Sequence, residues 1–322
     1  MKPIDLDRLA LEVKVSNAYR QGWCQVWQPG IFYFQPRIRV ADAALVISAG
    51  VHGDEITPIA LAGALLHCWL KQPPRQACLL IFAHPAAIQA QRRYIQTNLN
   101  RLFTAEPRPT QASQEQVRAI EIETALDHFY HLHPTKQYHL DFHSSIRPSV
   151  YPSFALVPHC PQQDEIHQLE PWLGSLGVEA IVYTHYINHT LSYGSSLRGA
   201  LAITVELGHN LPWQDVDMAA LLPWQKAILQ WSQTGDIETL TPQPLAIKRF
   251  DVLRQIYKRD NGFRLSSFAC GANFSCAQQG QILAYTKDNL IKVNAEQEWL
   301  LFANDKVELG ARALVCLTAH NK

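Results

Sequence analysis

The stretch SAGVHGDEITP, residues 48–58, follows directly on the apolar run ALVIS (44–48) and leads into the helix-like TPIALAGALLHCWL (57–70). Where a strand ends and a helix begins, side chains three residues apart project from one face, so His52 and Glu55 can converge on a single point. An imidazole and a carboxylate at that spacing suit zinc, and two histidines with one glutamate are a standard ligand set of catalytic zinc sites. The same pair also suits a solvated turn. Its reading therefore depends on the rest of the chain.

Around this turn, short β-branched or aliphatic runs alternate with longer helix-like stretches: ALVISAG, CLLIFAH, YHLDFH, FALVP, EAIVYT and LAITVEL are the strand candidates. Such alternation predicts a largely parallel sheet with helices packed on both faces. Thr57 is the expected N-cap of the first long helix, with Pro58 in its first turn. Further on, TAEPRPT (104–110) reads as a polar loop, and SQEQVRAIEIETALDHFYHL opens a second long helix with a Ser113/Gln116 capping box. After TLTPQPLA (239–246) the texture changes to short strands separated by Asn-Gly, Gly-Gln and Leu-Gly turns. The expected organisation is an α/β domain over residues 1–242 and a small all-β domain over 243–322.

The 322 residues are 47% hydrophobic and 17% charged, enough to bury a large core. Lys plus Arg equal Asp plus Glu at 28 each, so no net charge attracts nucleic acid or an anionic membrane. The longest apolar run, 59–70, is too short to span a bilayer. The N-terminal MKPIDLDRLALEV lacks the apolar centre of a signal peptide, and a cytoplasmic location is expected. Seven cysteines, none in C-x-x-C spacing, fit a reducing compartment as buried small hydrophobes.

Three further segments bear on His52 and Glu55. In YHLDFHSS, alternation puts His139, Asp141 and His143 on one strand face, with His143 at the carboxyl end, where open α/β sheets build their sites. His139 and Asp141 are expected to support His143 rather than ligate. LAITVELGHN delivers Glu206 at the end of an apolar strand, where a carboxylate is costly to desolvate without a partner or a task. Beside a zinc site it can serve as general base and then general acid. RRYIQTNLNRLF gathers Arg93, Asn100 and Arg101 in one short irregular segment, suited to holding carboxylates.

The motifs G-x-H-G-D-E, N-x-N-R-x-F, D-x-H-S and V-E-L-G, in this order and spacing, resemble those of the succinylglutamate desuccinylase/aspartoacylase family within the zinc carboxypeptidase superfamily. The resemblance covers most of the chain. It implies a mixed sheet flanked by helices, with a small C-terminal β domain. It implies one zinc ion per chain held by His52, Glu55 and His143, with Glu206 as the catalytic carboxylate. Arg93 would face the scissile carbonyl, and Asn100 and Arg101 would hold a substrate carboxylate. Arg147, in HSSIR, matches H-T-A-I-R of the desuccinylase branch and would meet the succinyl carboxylate. The implied reaction is hydrolysis of a small molecule, N-succinyl-L-glutamate, as in arginine catabolism. Another N-acylamino-acid deacylase, a zinc carboxypeptidase and a catalytically silent zinc-binding protein are the competing readings. Two departures mark the chain. Ser196 stands where the aspartoacylase branch has a substrate arginine, with Arg198 two residues nearer the catalytic glutamate. Phe302 stands where that branch has a tyrosine, which favours the desuccinylase reading.

Overall fold

The computed structural model describes residues 6–38, 43–104, 112–237 and 246–320. Residues 105–110 of the proline-bearing loop, and 239–245 of the break with the expected boundary at 242/243, lie outside the described residues. The N-terminal two-thirds carries eight strands among the described residues. They are β1 (Cys24–Gln28), β2 (Ile31–Phe34), β3 (Ala43–Ala49), β4 (Ala77–Phe82), β5 (Lys136–Ser145), β6 (Ser153–Val157), β7 (Ala180–Tyr183) and β8 (Leu201–His209). They lie side by side in the order β1-β2-β4-β3-β5-β8-β6-β7. The centre, β4-β3-β5-β8, is parallel, whereas β2 meets β4 and β6 meets β8 antiparallel. The sheet is mixed, with a parallel heart.

Alternation along β3 explains why both faces of this heart are covered. Ala43, Leu45, Ile47 and Ala49 join one apolar cluster, and Ala44 and Val46 join the other. The first cluster packs the helices Ile56–Lys71 and Met218–Thr234 against the sheet, with Trp69, Trp172, Trp224 and Trp231 among its largest side chains. The second packs the helix Gln114–Leu132 through Ile122, Leu126 and Phe129. Burial of these aromatic and aliphatic faces is the main force holding the layers together. No described helix is long and apolar enough to cross a membrane.

Helix ends follow the sequence with one correction. Ser113 and Gln116 form the expected reciprocal capping box. The first long helix, however, begins at Ile56, so Glu55 and not Thr57 occupies its N-cap position, and no side chain caps it. The Glu55 carboxylate is drawn away by two imidazoles and a guanidinium. Pro58 still falls in the first turn, where its missing N–H removes no intrahelical bond.

The C-terminal part contains β9 (Lys248–Tyr257), β10 (Arg264–Leu265), β11 (Ser275–Gln278), β12 (Ile282–Tyr285), β13 (Leu290–Lys292), β14 (Gln297–Leu301) and β15 (Arg312–Ala319). Strands β10, β12 and β13 form a small sheet of their own. The other four extend the large sheet to twelve strands, because β9 pairs in parallel with β7, Ala180 opposite Lys248 through Tyr183 opposite Asp251. A mixed α/β sheet flanked by helices and a small β-rich domain thus share one ladder. All seven cysteines are unpaired, and four of them are buried.

Candidate active site

At the centre of the sheet, the histidines and aspartate of β5 and the glutamate of β8 lie on one face. Tyr138, Leu140 and Phe142 of β5 point into the tryptophan-rich cluster. His139, Asp141 and His143 alternate with them and point the other way. Strand β8 repeats the pattern: Leu201, Ile203 and Val205 pack, while Glu206 lies directly opposite His143 in the parallel ladder. His52 and Glu55 arrive from the turn after β3. His52, Glu55, His143 and Glu206 are 3, 2, 3 and 6% exposed, so four ionisable groups share a nearly dry site.

Two glycines shape the turn. Gly50 has φ of +71°, a conformation other residues adopt only under strain. Gly53 has an ordinary φ, but a Cβ there would lie 2.0 Å from the Ala87 carbonyl carbon, so the turn is pressed against a neighbouring helix start. The Gly53 N–H also reaches the Arg93 carbonyl at 3.4 Å, tying the turn to the segment that carries Arg93.

One donor atom each from His52, Glu55 and His143 lie within 4.8 Å of one another. His52 Nδ1 meets Glu55 Oε1 at 2.7 Å, His143 Nδ1 meets Oε2 at 2.9 Å, and Arg93 Nη1 donates to Oε1 at 3.0 Å. The far nitrogens are also engaged: His52 Nε2 with Asn98 Oδ1 and His143 Nε2 with Asp141 Oδ2, both at 3.1 Å. Each ring therefore faces an oxygen at both nitrogens, yet a neutral imidazole has only one N–H to offer. With Nε2–H donated to Asn98 and Asp141, each Nδ1 lone pair points at a carboxylate. A divalent cation held by His52, Glu55 and His143 would resolve that conflict, and the two-nitrogen, one-carboxylate donor set fits zinc.

Electrostatics set the two rings apart. Burial pushes the Glu55 carboxyl up, but the His52 and His143 charges and their hydrogen bonds together pull it well below the carboxylate range. Burial lowers His52 to about 4. Burial also opposes a charge on His143, yet Asp141 and Glu55 outweigh it and raise that ring well above the usual value. Glu206, with no cation hydrogen-bonded to it, is lifted to about 7, burial being the largest cause. Among the described residues its side chain accepts a hydrogen bond from Ser145 Oγ at 3.3 Å.

The donor set opens onto a cavity of about 740 Å³ lined also by Arg93, Asn100, Arg101, Arg147 and Glu206. Asn100 accepts from the Leu191 N–H through Oδ1 at 3.0 Å, which leaves its amide as a donor. Arg101 opens to the cavity while protein encloses it elsewhere; this burial, then the charges of Arg312 and Arg93, lower it to about 10. Arg147 donates Nε and Nη1 to the carbonyls of Ala303 and Cys270, stapling the β5–β6 connection to the C-terminal part. Arg198 is elsewhere: it forms a fork with Asp127 at 2.6 and 3.1 Å and does not line the cavity. Phe302 does line it, with φ of 55°.

Three contributors escaped the sequence reading. Asn98 orients His52, and its position beside Asn100 in N-x-N-R was the available signal. Glu115 is fully buried and accepts from the N–H groups of Ile95 and Gln96 at 2.9 and 2.7 Å, and from His84 at 3.2 Å, so it anchors the Arg93 segment. Ser48 donates to Asp141 Oδ1 at 2.5 Å and meets His139 Nε2 at 2.8 Å. Glu115 and Ser48 meet partners 19 to 93 residues away, which local pattern does not reveal.

A His–Glu–His set at the carboxyl edge of a mixed α/β sheet is the arrangement of the zinc-carboxypeptidase superfamily, and comparison with known proteins narrows the class. Residues 41–231 match the succinylglutamate desuccinylase/aspartoacylase catalytic domain, and residues 246–320 match the AstE/AspA barrel-sandwich hybrid domain. A succinylglutamate desuccinylase of Shewanella sp. (strain W3-18-1) is 32% identical over 308 residues, 91% of this chain and 87% of that protein. The crystal structure of succinylglutamate desuccinylase from Vibrio cholerae superposes with a TM-score of 0.81 at 27% identity, covering 91% of this chain and 86% of the other. The enzyme from Chromobacterium violaceum gives 0.79 at 26%, covering 93% and 91%. The chain belongs to the succinylglutamate desuccinylase/aspartoacylase family, and it is a hydrolase of the succinylglutamate-desuccinylase-like kind.

Proposed function

We propose that the chain hydrolyses the amide bond of N-succinyl-L-glutamate to succinate and L-glutamate, using one zinc ion held by His52, Glu55 and His143. The observation that carries this reading is the meeting of that buried donor set with a buried carboxylate, Glu206, at a cavity lined by guanidinium groups. Identity of 32% to desuccinylases over nearly the whole chain supports the choice of substrate. On this reading the enzyme works in the cytoplasm, in arginine catabolism.

Zinc, when bound, supplies Lewis-acid charge and brings the pKa of water to about 7. The chain's own residues do the rest. Glu206 accepts a proton from the attacking water at a carboxylate oxygen and delivers it to the departing amine nitrogen. Ser145, donating to Oε2, keeps that carboxylate oriented. Arg93 brings its guanidinium to the carbonyl oxygen on which negative charge grows. The Asn100 amide and Arg101 hold one substrate carboxylate, so the amide is delivered to the site in register. Arg147, with Nε and Nη1 committed to carbonyls, offers Nη2 to the succinyl carboxylate.

The test is a comparison of rates on N-succinyl-L-glutamate, N-acetyl-L-aspartate and a blocked dipeptide with zinc-reconstituted protein. A preference of about 100-fold or more for succinylglutamate is expected, since buried donors left unpaired by a wrong ligand discriminate strongly. Equal or faster turnover of either other substrate would replace this reading by a deacylase of different specificity or a peptidase.

A further inference from the structure

The C-terminal part also lines the cavity, and the chemistry where it meets the segment after β7 is lopsided. Arg312, at the start of β15, lines the cavity and donates Nη1 to the Tyr186 hydroxyl at 3.0 Å. Its guanidinium also lies over the Phe302 ring, 6.0 Å from the centroid. Accepting from Arg312 leaves the Tyr186 proton free to donate, and no acceptor for it is recorded among the described residues. Arg101 projects into the same space, close enough to Arg312 that each feels the other's charge. Asp305 lines this wall too, but among the described residues it pairs with neither guanidinium. Two cations and a phenol therefore present only donors to one concave region. Mutual repulsion and unused donors are relieved together by a bound anion.

We propose that Arg312 and Tyr186, beside Arg101, form a further carboxylate subsite, through which the small β domain selects N-acyl amino acids carrying several carboxylates. This rests on the desuccinylase reading above and deepens it. Succinylglutamate has three carboxylates; Arg101 with Asn100 takes one and Arg147 another, and the Arg312–Tyr186 pair takes the third. The subsite touches no reacting atom. Its contribution is affinity and register, so its loss raises KM more than it lowers kcat.

The experiment uses the full chain loaded with zinc, as wild type and as Arg312→Gln, Arg312→Lys and Tyr186→Phe. Each is assayed on N-succinyl-L-glutamate and on three analogues lacking one carboxylate: N-butyryl-L-glutamate, N-succinyl-L-norvaline and N-succinyl-4-aminobutyrate. Arg312→Gln is expected to lower kcat/KM on succinylglutamate by about 30-fold, mostly through KM, the range of a lost charged hydrogen-bond pair. One analogue, lacking the carboxylate that Arg312 holds, should be turned over equally by variant and wild type. Arg312→Lys should recover part of the loss, and Tyr186→Phe should cost less than Arg312→Gln. If all four substrates fall by one common factor, or none falls, the proposal is overturned. Calorimetric titration with succinate and with glutarate gives an independent readout. If wild type hydrolyses none of the four compounds, the desuccinylase reading fails; the subsite then stands if Arg312→Gln weakens dicarboxylate binding and falls if it does not. Melting temperature and zinc content within error of wild type separate this effect from misfolding.

Discussion

Strands β5 and β8 carry two different chemistries on the two sides of one backbone. Tyr138, Leu140, Phe142, Leu201, Ile203 and Val205 face the tryptophan-rich cluster, where rings meet edge to face, Phe142 on Trp224 at 5.4 Å and Tyr138 on Trp231 at 5.0 Å. One residue along in each case, His139, Asp141, His143 and Glu206 face the cavity side. Both sides are equally dry. The first holds the strands in place by burying area, whereas the second must satisfy every charge by a partner of fixed geometry. The comparison teaches that the reactive side depends on the packed side for its precision. The ladder that sets His143 opposite Glu206 is held by residues that never see substrate.

Substitutions on the two faces should therefore separate function from stability. The largest effect is expected for Glu206→Gln, which keeps shape and removes the base: kcat should fall about 1,000-fold with metal content and melting temperature unchanged. A variant within tenfold of wild type would remove Glu206 from the mechanism. The same group sets the pH profile. Its pKa is raised to about 7 by burial, and on the proposed mechanism the ionised form is the active one. Wild-type kcat/KM should accordingly be lost as pH falls, with a midpoint below about 7 because a bound zinc ion favours the ionised carboxylate, and the residual activity of Glu206→Gln should lack that limb.

Next in size is His143→Ala. It removes one of three donors and leaves Asp141 and Glu55 facing a void, so zinc should be lost on dialysis. Near-full zinc occupancy by elemental analysis would strike His143 from the ligand set. On the opposite face, Phe142→Ala should cost about 3–5 kcal/mol of stability by opening a cavity beside Trp224. Chemical denaturation measures this, and the folded fraction should retain wild-type kcat within a few-fold. A large loss of kcat in folded protein would show that the faces are not separable. The smallest effect is expected for Ser48→Ala, which loosens Asp141 behind His143. Zinc affinity should weaken by about tenfold in a chelator competition, with kcat at saturating zinc nearly unchanged.

Much of this division was legible in the sequence because strand alternation has a period of two. YHLDFH writes aromatic and polar residues in turn, and LAITVEL places its one carboxylate near the strand's carboxyl end. His52 and Glu55 were legible for a similar reason, as a local spacing at a strand-to-helix turn. The N-cap was misread because Thr57 is the better capping residue by local preference, while the start of the helix is governed by where the Glu55 carboxylate goes. Arg147 and Arg198 show another limit. Both are arginines near motif positions, but one staples two backbone carbonyls and the other pairs with Asp127 on a different helix. Nothing within ten residues of either announces that partner. Four strands, β1, β2, β10 and β11, also escaped notice, each being five residues or fewer without a clear alternation of apolar and polar side chains.

The parallel seam between β7 and β9 has a consequence for how such a chain changes over generations. A ladder of main-chain hydrogen bonds asks little of side-chain identity, so the graft of the small domain onto the large sheet tolerates wide drift in sequence. The wall it presents, from Phe302 to Arg312, can then be recut one residue at a time while the turn bearing His52 and Glu55 is left alone. The part of the cavity wall that lies beyond that seam can change by inheritance while the strands and the turn before it are kept.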